Sequence, residues 1–488
     1  MADSTKKLGL ITLTAVVISA MIGGGVYNLP QNMSQYAGAG AIIIAWVITG
    51  IGIWFVANTF RILAAARPDA TTGIYSYGQL GFGNFIGFLM AWGYWLCNCF
   101  ANIGYAVLLM DSLDYFFPGY FTGGNNFNSV IGGSLVIWII YFIVLAGVKG
   151  ATSLNTIGTI GKLVPIVLFL LITAFLFKFS AFFINFWGTE TIPALADKPL
   201  GSVFTQVKST MLVTLWVFIG IEGAVVISDR AKSQSDVGKA TLLGFLACLI
   251  IYILLSLLPI GYYSQGQLST MAAPSTAAVL GGMIGVWGDW IMNIGVIVAI
   301  LSSWLVWTIM LAELPLAAAK GQTFPKAFAK VNKNNSPSFS LLISSIIMQV
   351  TMILVYFSNN AWNLMLSVTG VMVLPCYIAC TTYLWKISAK NDNYPTTIFA
   401  SRKNAIITGF LGTIYGLWLI YAAGLNYMLL AAVIYAIGIP FFMRARKEFN
   451  PTQPEFNKEE KALSIVLFIL GVLGLIYLIM NYKDLLGQ

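Results

Sequence analysis

VISAMIGGGVYNLPQNM, Val17 to Met33, is the stretch that decides the fold. Its flanks are apolar, and three consecutive glycines, Gly23, Gly24 and Gly25, interrupt what is otherwise a helix of membrane length. Glycine in a membrane helix usually just allows close packing, and that reading covers any single one of them. A second stretch, MLVTLWVFIGIEGAVVISDRAKSQSDVGKAT (Met211 to Thr241), sets Gly220 and Gly223 around Glu222, again near the middle of an apolar span. Counted along the chain, these are the first and sixth spans. Matched interruptions in corresponding spans point to a five-plus-five inverted repeat with discontinuous helices 1 and 6 and a substrate site near the bilayer midplane.

The 488 residues are 58% hydrophobic and 9% charged, with a mean hydropathy of +0.84. Soluble domains carry about a quarter charged residues, so this chain needs a non-aqueous solvent around it. Runs such as Gly40 to Leu63, Val130 to Val148, Lys239 to Tyr263, Leu341 to Phe357 and Ala462 to Tyr482 are near or above the roughly 20 residues that cross about 30 Å of hydrocarbon. Barrel strands would alternate apolar and polar residues, and these runs are apolar throughout. The expected fold is therefore all-α and polytopic, with about 12–13 transmembrane helices. The count is open by one because Asn404 to Tyr421 and Gly424 to Met443 are separated by only a short turn. The expected organisation is an inverted-repeat transport core over residues 1–386 (repeat 1 about 8–184, repeat 2 about 203–386), then additional carboxyl-terminal transmembrane helices over 387–488.

The opening MADSTKKLGL leads into an apolar stretch without a small-residue cleavage site, the mark of a retained first helix. With Lys6 and Lys7 in the cytoplasm, that side collects all but four of the 26 Lys and Arg, the exceptions being Lys178, Lys198, Lys208 and Lys483. This asymmetry places the amino terminus inside, and orientation rather than nucleic acid accounts for the net charge of +9.

Few ionisable groups remain inside the spans: Lys162, Glu222 and Glu313 stand out. Each argues for a cavity, a partner or a job, the bland reading for Lys162 and Glu313 being a position near the interface reached by snorkelling. The chain has no histidine, which removes Ser-His-Asp hydrolases, helical zinc sites and imidazole relays, so any pH dependence near neutrality falls to a buried carboxylate or lysine. No GxxxxGK[ST] loop supports ATP-driven pumping, and neither metal nor cofactor is called for. The five cysteines read as buried thiols. Most of the 14 Trp fit interfacial belts. A Trp at the midplane, however, suits a cationic substrate, and the N–H groups of a broken helix suit a carboxylate.

Four segments together carry a family resemblance: Val17 to Met33, RPDATTGIYSYGQLGFGNFIGFLMAWGYWL (Arg67 to Leu96), Met211 to Thr241, and AAAKGQTFPKAFAKVNK (Ala317 to Lys333). In order and over nearly the whole chain, they resemble the basic amino acid/polyamine antiporters of the amino acid/polyamine/organocation superfamily, most of all the bacterial arginine/ornithine antiporters. The resemblance implies exchange of a basic amino acid for a related cation by alternating access in the cell membrane, with no catalysis. Relatives that exchange histidine for histamine, arginine for agmatine or lysine for cadaverine share the scaffold, and a proton-coupled uptake permease of the same fold is the nearest alternative. A membrane enzyme or sensor is the rival from another class. Relatives are often dimers, and the expected partners are small-molecule amino acids and amines and the lipid bilayer.

The resemblance also implies roles. In the related arginine/agmatine antiporters the substrate carboxylate meets the first-helix break, here Gly23, Gly24 and Gly25, and the α-amine meets carbonyls matching Met21, Trp216 and Ile219. The aromatic stacked on the guanidinium matches Trp307, and the polar third-helix contacts match Cys97, Asn98 and Asn102. Gating positions match Tyr94, Trp216 and Glu222. Lys162 in TIGKLVPI looks like a fifth-helix lysine that some relatives place against the break. Two departures stand out: a carboxylate-binding serine is Gly24 here, and a tenth-helix gate tyrosine is Cys376, with Tyr377 beside it.

Overall fold

A computed structural model describes residues 9–68, 70, 74–147, 151–222, 232, 234–390, 394–395 and 398–481. Gly223, Lys6, Lys7, Lys149, Arg230 and Lys483, which entered the sequence reading, lie outside the described residues. The main helices are α1 (Leu10–Met21), α2 (Leu29–Ser34), α3 (Ala39–Ala66), α4 (Ile74–Phe82), α5 (Asn84–Asp114), α6 (Phe127–Leu145), α7 (Ala151–Phe175), α8 (Val203–Trp216) and α9 (Gln234–Leu257). They continue as α10 (Ser275–Ile284), α11 (Val286–Lys320), α12 (Ser338–Leu354), α13 (Ala361–Ala389), α14 (Arg402–Ala423), α15 (Leu425–Ile437), α16 (Ile439–Phe449) and α17 (Lys458–Met480).

Among the described residues, 10 helices are long and apolar enough to cross a membrane, and the bent pair Leu10–Met21 and Gly24–Ser34 makes the number 11. α7 (25 residues) and α8 (14 residues) occupy the places of the fifth and sixth expected spans. The all-α, polytopic expectation holds. The turn between the two carboxyl-terminal spans shrinks to Gly424, whose φ of +80° reverses the chain between α14 and α15. Large apolar side chains on the outer faces of α6 and α17, such as Leu135, Phe142, Leu473 and Ile479, are exposed, as lipid-facing positions should be.

The chain forms two compact units. The first comprises Met1–Arg61, Leu108–Gly124 and Ala151–Ser303. There α1 packs on α9 because Gly244 has no side chain: a Cβ would lie 2.5 Å from Val17 Cγ1. Thr49 donates to Thr214 at 2.7 Å, tying α3 to α8. Trp46, Phe218 and Tyr252 form a ring cluster, with Phe218 5.2 Å from Tyr252 and 6.4 Å from Trp46. Such pairs contribute roughly 0.5–1.5 kcal/mol each beyond area burial, and they fix the segment that follows α8.

The second unit comprises Ile62–Val107, Asn125–Gly150 and Trp304–Gln488. α15, from the carboxyl-terminal extension, is fastened by polar contacts: Tyr435 donates to the Met372 carbonyl at 2.9 Å, and Trp92 Nε1 donates to the Ile434 carbonyl at 3.0 Å. α17 begins with a capping box between Asn457 and Glu460, and Glu460 also accepts from the Phe85 N–H at 3.3 Å. α13 and α14 touch at backbone level, since a Cβ on Gly409 would lie 2.5 Å from the Trp385 nitrogen and 2.8 Å from the Thr381 oxygen. Small residues are the usual route to such close approach in lipid. Gly409→Val is expected to force the two helices apart and destabilise the protein by about 1–3 kcal/mol. Thermal unfolding of the detergent-solubilised protein reads this out, and an unchanged transition would contradict the contact.

Candidate functional site

α1 ends at Met21 inside the first unit, and a helix end in hydrocarbon needs partners for its last carbonyls. Ile22 leaves helical geometry (φ −81°, ψ 88°) and Gly23 is extended (φ −97°, ψ −168°). A short 3₁₀ turn, Gly24–Asn28, and α2 follow at 56° to α1. The Ile18 carbonyl accepts from the Ile22 N–H at 2.9 Å. Ser19's accepts from Lys162 Nζ at 2.7 Å. Met21's accepts from the Gly23 N–H and from the Tyr252 hydroxyl, each at 3.0 Å. On the far side of the break, no described group accepts from the N–H of Gly24 or Gly25.

Lys162 is 2% exposed, which overturns snorkelling for this residue. Its ammonium also lies 3.5 Å from Ser303 Oγ, and no ion pair is formed with it among the described residues. The cation sits at the carbonyl end of α1, where the helix dipole and the Ser19 carbonyl offset part of its lost hydration. Tyr27, just past the break, donates to the Lys162 carbonyl at 2.6 Å, so the lysine's own helix is held to both sides of the interruption.

α8, in the place of the sixth span, is only 14 residues long. α8 ends at Trp216, and the next residues are linked by short-range bonds, Phe218 N–H to Leu215 O at 3.0 Å and Ile219 N–H to Trp216 O at 3.2 Å. Gly220 has φ +107°, a conformation that side chains with a Cβ rarely adopt. Trp216, Ile219 and Glu222 are all buried. Of the carbonyls expected to meet an α-amine, those of Met21 and Trp216 already hold protein donors.

The glycine triplet serves packing as well as the break. A Cβ on Gly24 would lie 2.5 Å from Ile300 Cγ1, and one on Gly25 would fall inside the Trp216 ring. Gly25 does not have a positive φ, so the reason for glycine there is the ring laid against it.

In the second unit, Tyr94, Cys97, Asn98 and Asn102 share one face of α5, and all are buried. Asn98 Nδ2 donates to the Tyr94 carbonyl at 2.9 Å, Asn102 Nδ2 to Thr308 Oγ1 at 3.4 Å, and Cys97 Sγ lies 3.4 Å from the Thr369 carbonyl. The Asn98 and Asn102 Oδ1 atoms are buried without a hydrogen-bond partner, as is Thr369 Oγ1. A buried amide oxygen left unpaired costs about 1–3 kcal/mol, so two of them ask for a donor the protein does not supply. Trp307, beside Thr308, is buried at 7% exposure, and Trp304 is fully buried. Cys376 Sγ is held 3.2 Å from the Met90 carbonyl, which leaves it a packing role.

Sequence reasoning missed Tyr252, Ser303, Tyr27, Thr308 and Thr369. Each is one hydroxyl in an apolar run, and only the partner helix, far away in sequence, gives it meaning. Gly25→Ala is expected to displace the Trp216 ring and to lower transport activity about tenfold or more. Transport in membrane vesicles is the readout, and wild-type rates would show that the ring does not occupy that position.

The amino acid permease family profile matches residues 8–470. A candidate amino-acid transporter of Clostridium perfringens is 69% identical over 98% of this chain and 99% of its own. The arginine/agmatine antiporter of Chlamydia caviae is 55% identical over 97% of this chain and 96% of its own, and that of Chlamydia trachomatis serovar L2 is 52% identical over 97% of each. The broken first helix therefore sits in a multi-pass membrane protein that belongs to the amino acid permease family of the amino acid/polyamine/organocation superfamily.

Proposed function

We propose that this chain is an antiporter that exchanges arginine for a smaller related cation by alternating access, with a five-plus-five inverted repeat as its core. The observation that carries the reading is the pair of buried, unpartnered amide oxygens of Asn98 and Asn102 in the same unit as Trp307. Oxygens without donors and an aromatic face both suit a guanidinium or ammonium group. In the first unit, the Gly24 and Gly25 N–H groups at the break suit a carboxylate. The antiporters named above add support, as proteins 52% and 55% identical are named for arginine/agmatine exchange.

The sequence reading favours ornithine as the counter-substrate, whereas those relatives carry the name agmatine. Ornithine keeps a carboxylate and agmatine has none. Proteoliposomes loaded with arginine and diluted into labelled arginine, ornithine, agmatine or histidine at equal pH on both sides distinguish the pairs. Exchange is expected with arginine and with one of the first two alternatives. Uptake that needs a pH gradient would instead favour the proton-coupled permease, and absence of saturable counterflow would point to a sensor or enzyme. The Lys and Arg asymmetry supports a plasma-membrane orientation with the amino terminus in the cytoplasm, and the resemblance supports a homodimer.

Trp307→Leu is expected to weaken binding of arginine by about 1–2 kcal/mol, roughly tenfold or more, while Trp307→Tyr keeps most of it. Unchanged affinity in the Leu variant discards the stacking role. Trp304→Leu, though on another face of α11, is a poor control because Trp304 is fully buried and its removal leaves a cavity.

Glu222 is assigned as the gate-linked, proton-sensitive group and Lys162 as the fixed cation bracing the break. Glu222→Gln should flatten the pH profile of exchange between about pH 5 and 8 while substrate binding persists, and Lys162→Ala should lower activity at every pH. A profile flattened by Lys162→Ala and untouched by Glu222→Gln reverses the assignment.

A further inference from the structure

Glu313 is the one ionisable residue singled out within the spans that the reading above leaves without a role. It lines a groove of about 500 Å³ in the second unit, together with Tyr75, Gln79, Leu316, Ala317 and Lys320. On α11 the positions 313, 316, 317 and 320 recur at helical spacing and form one stripe. Tyr75 and Gln79, one turn apart on α4, face it across the groove. The Tyr75 hydroxyl donates to the Ala317 carbonyl at 3.2 Å and fixes the separation of the walls at mid-length. α4 is anchored from behind, where Lys386 donates to the Gly81 carbonyl at 2.6 Å.

Lys320 is the last residue of α11, and Glu313 lies about 10 Å away along the same face at 1.5 Å per residue. No ion pair joins the two among the described residues. Glu313 and Lys320 are both exposed, so the open groove leaves the two charges free to meet a ligand. The result is an exposed acid and an exposed ammonium on one wall of the groove, separated on the scale of an extended dibasic amino acid.

We propose that this groove is a second, peripheral subsite for a dibasic amino acid, in which Glu313 takes the side-chain cation and Lys320 takes the α-carboxylate. The inference rests on the reading of the chain as a basic amino-acid exchanger. It adds a point of selectivity on one face of the membrane. A decarboxylated amine keeps its contact with Glu313 but has nothing to offer Lys320, so the subsite favours the amino acid over its amine.

Exchange kinetics in right-side-out and inverted membrane vesicles, with arginine and agmatine as probes, test this. Wild-type vesicles that fail to exchange arginine sink the exchanger reading itself. Where they do exchange it, Glu313→Gln is expected to raise KM for both probes about tenfold from the face that carries the 320–333 segment, and to leave KM from the opposite face within about twofold. The one-sidedness separates a subsite from a folding defect, which lowers exchange from both faces. Lys320→Gln should raise KM for arginine several-fold from that same face and leave agmatine within about twofold. A Glu313→Gln variant with unaltered KM, equal changes from both faces, or a Lys320→Gln variant that affects the two probes alike overturns the proposal.

Discussion

A helix broken inside a membrane leaves backbone groups with no water to satisfy them, and the arrangement around the first-helix break follows from that constraint. Lys162 donates to Ser19, Tyr252 donates to Met21, and Tyr27 reaches back to the Lys162 carbonyl. Two of these three contacts answer carbonyls at the end of α1, and the third ties the helix of Lys162 to the far side. The carbonyls of Ile18, Ser19 and Met21 are met by the protein, while the N–H groups of Gly24 and Gly25 have no described acceptor. Free N–H groups at such a break are what a site for an anionic group requires.

The same logic applies with opposite sign in the second unit. Asn98 and Asn102 use their amide nitrogens within the protein and keep their oxygens unpaired. Buried acceptors without donors suit a cation.

The all-α polytopic fold was legible because composition leaves no other solvent than lipid, and the first-helix break was legible because Gly23 to Gly25 fall in mid-span. Gly220 carries the positive φ that the sequence allows one to expect. Gly25 does not, and its requirement comes from Trp216, a residue almost two hundred positions away. Tyr252 and Ser303 escaped for the same reason: a hydroxyl in an apolar run looks alike whether it faces lipid, a neighbouring helix or an open carbonyl. The position of Lys162 against the break followed from family resemblance, since its spacing in sequence gives no hint of what it touches.

The central claim is that the donors freed at the first-helix break receive the substrate carboxylate. Backbone hydrogen exchange of the purified protein, followed by mass spectrometry over residues 22–28 with and without saturating arginine, tests it most directly. Arginine is expected to slow exchange at Gly24 and Gly25 and to leave α14 unaffected. Equal exchange at the break in the presence and absence of a substrate shown to bind would contradict the account.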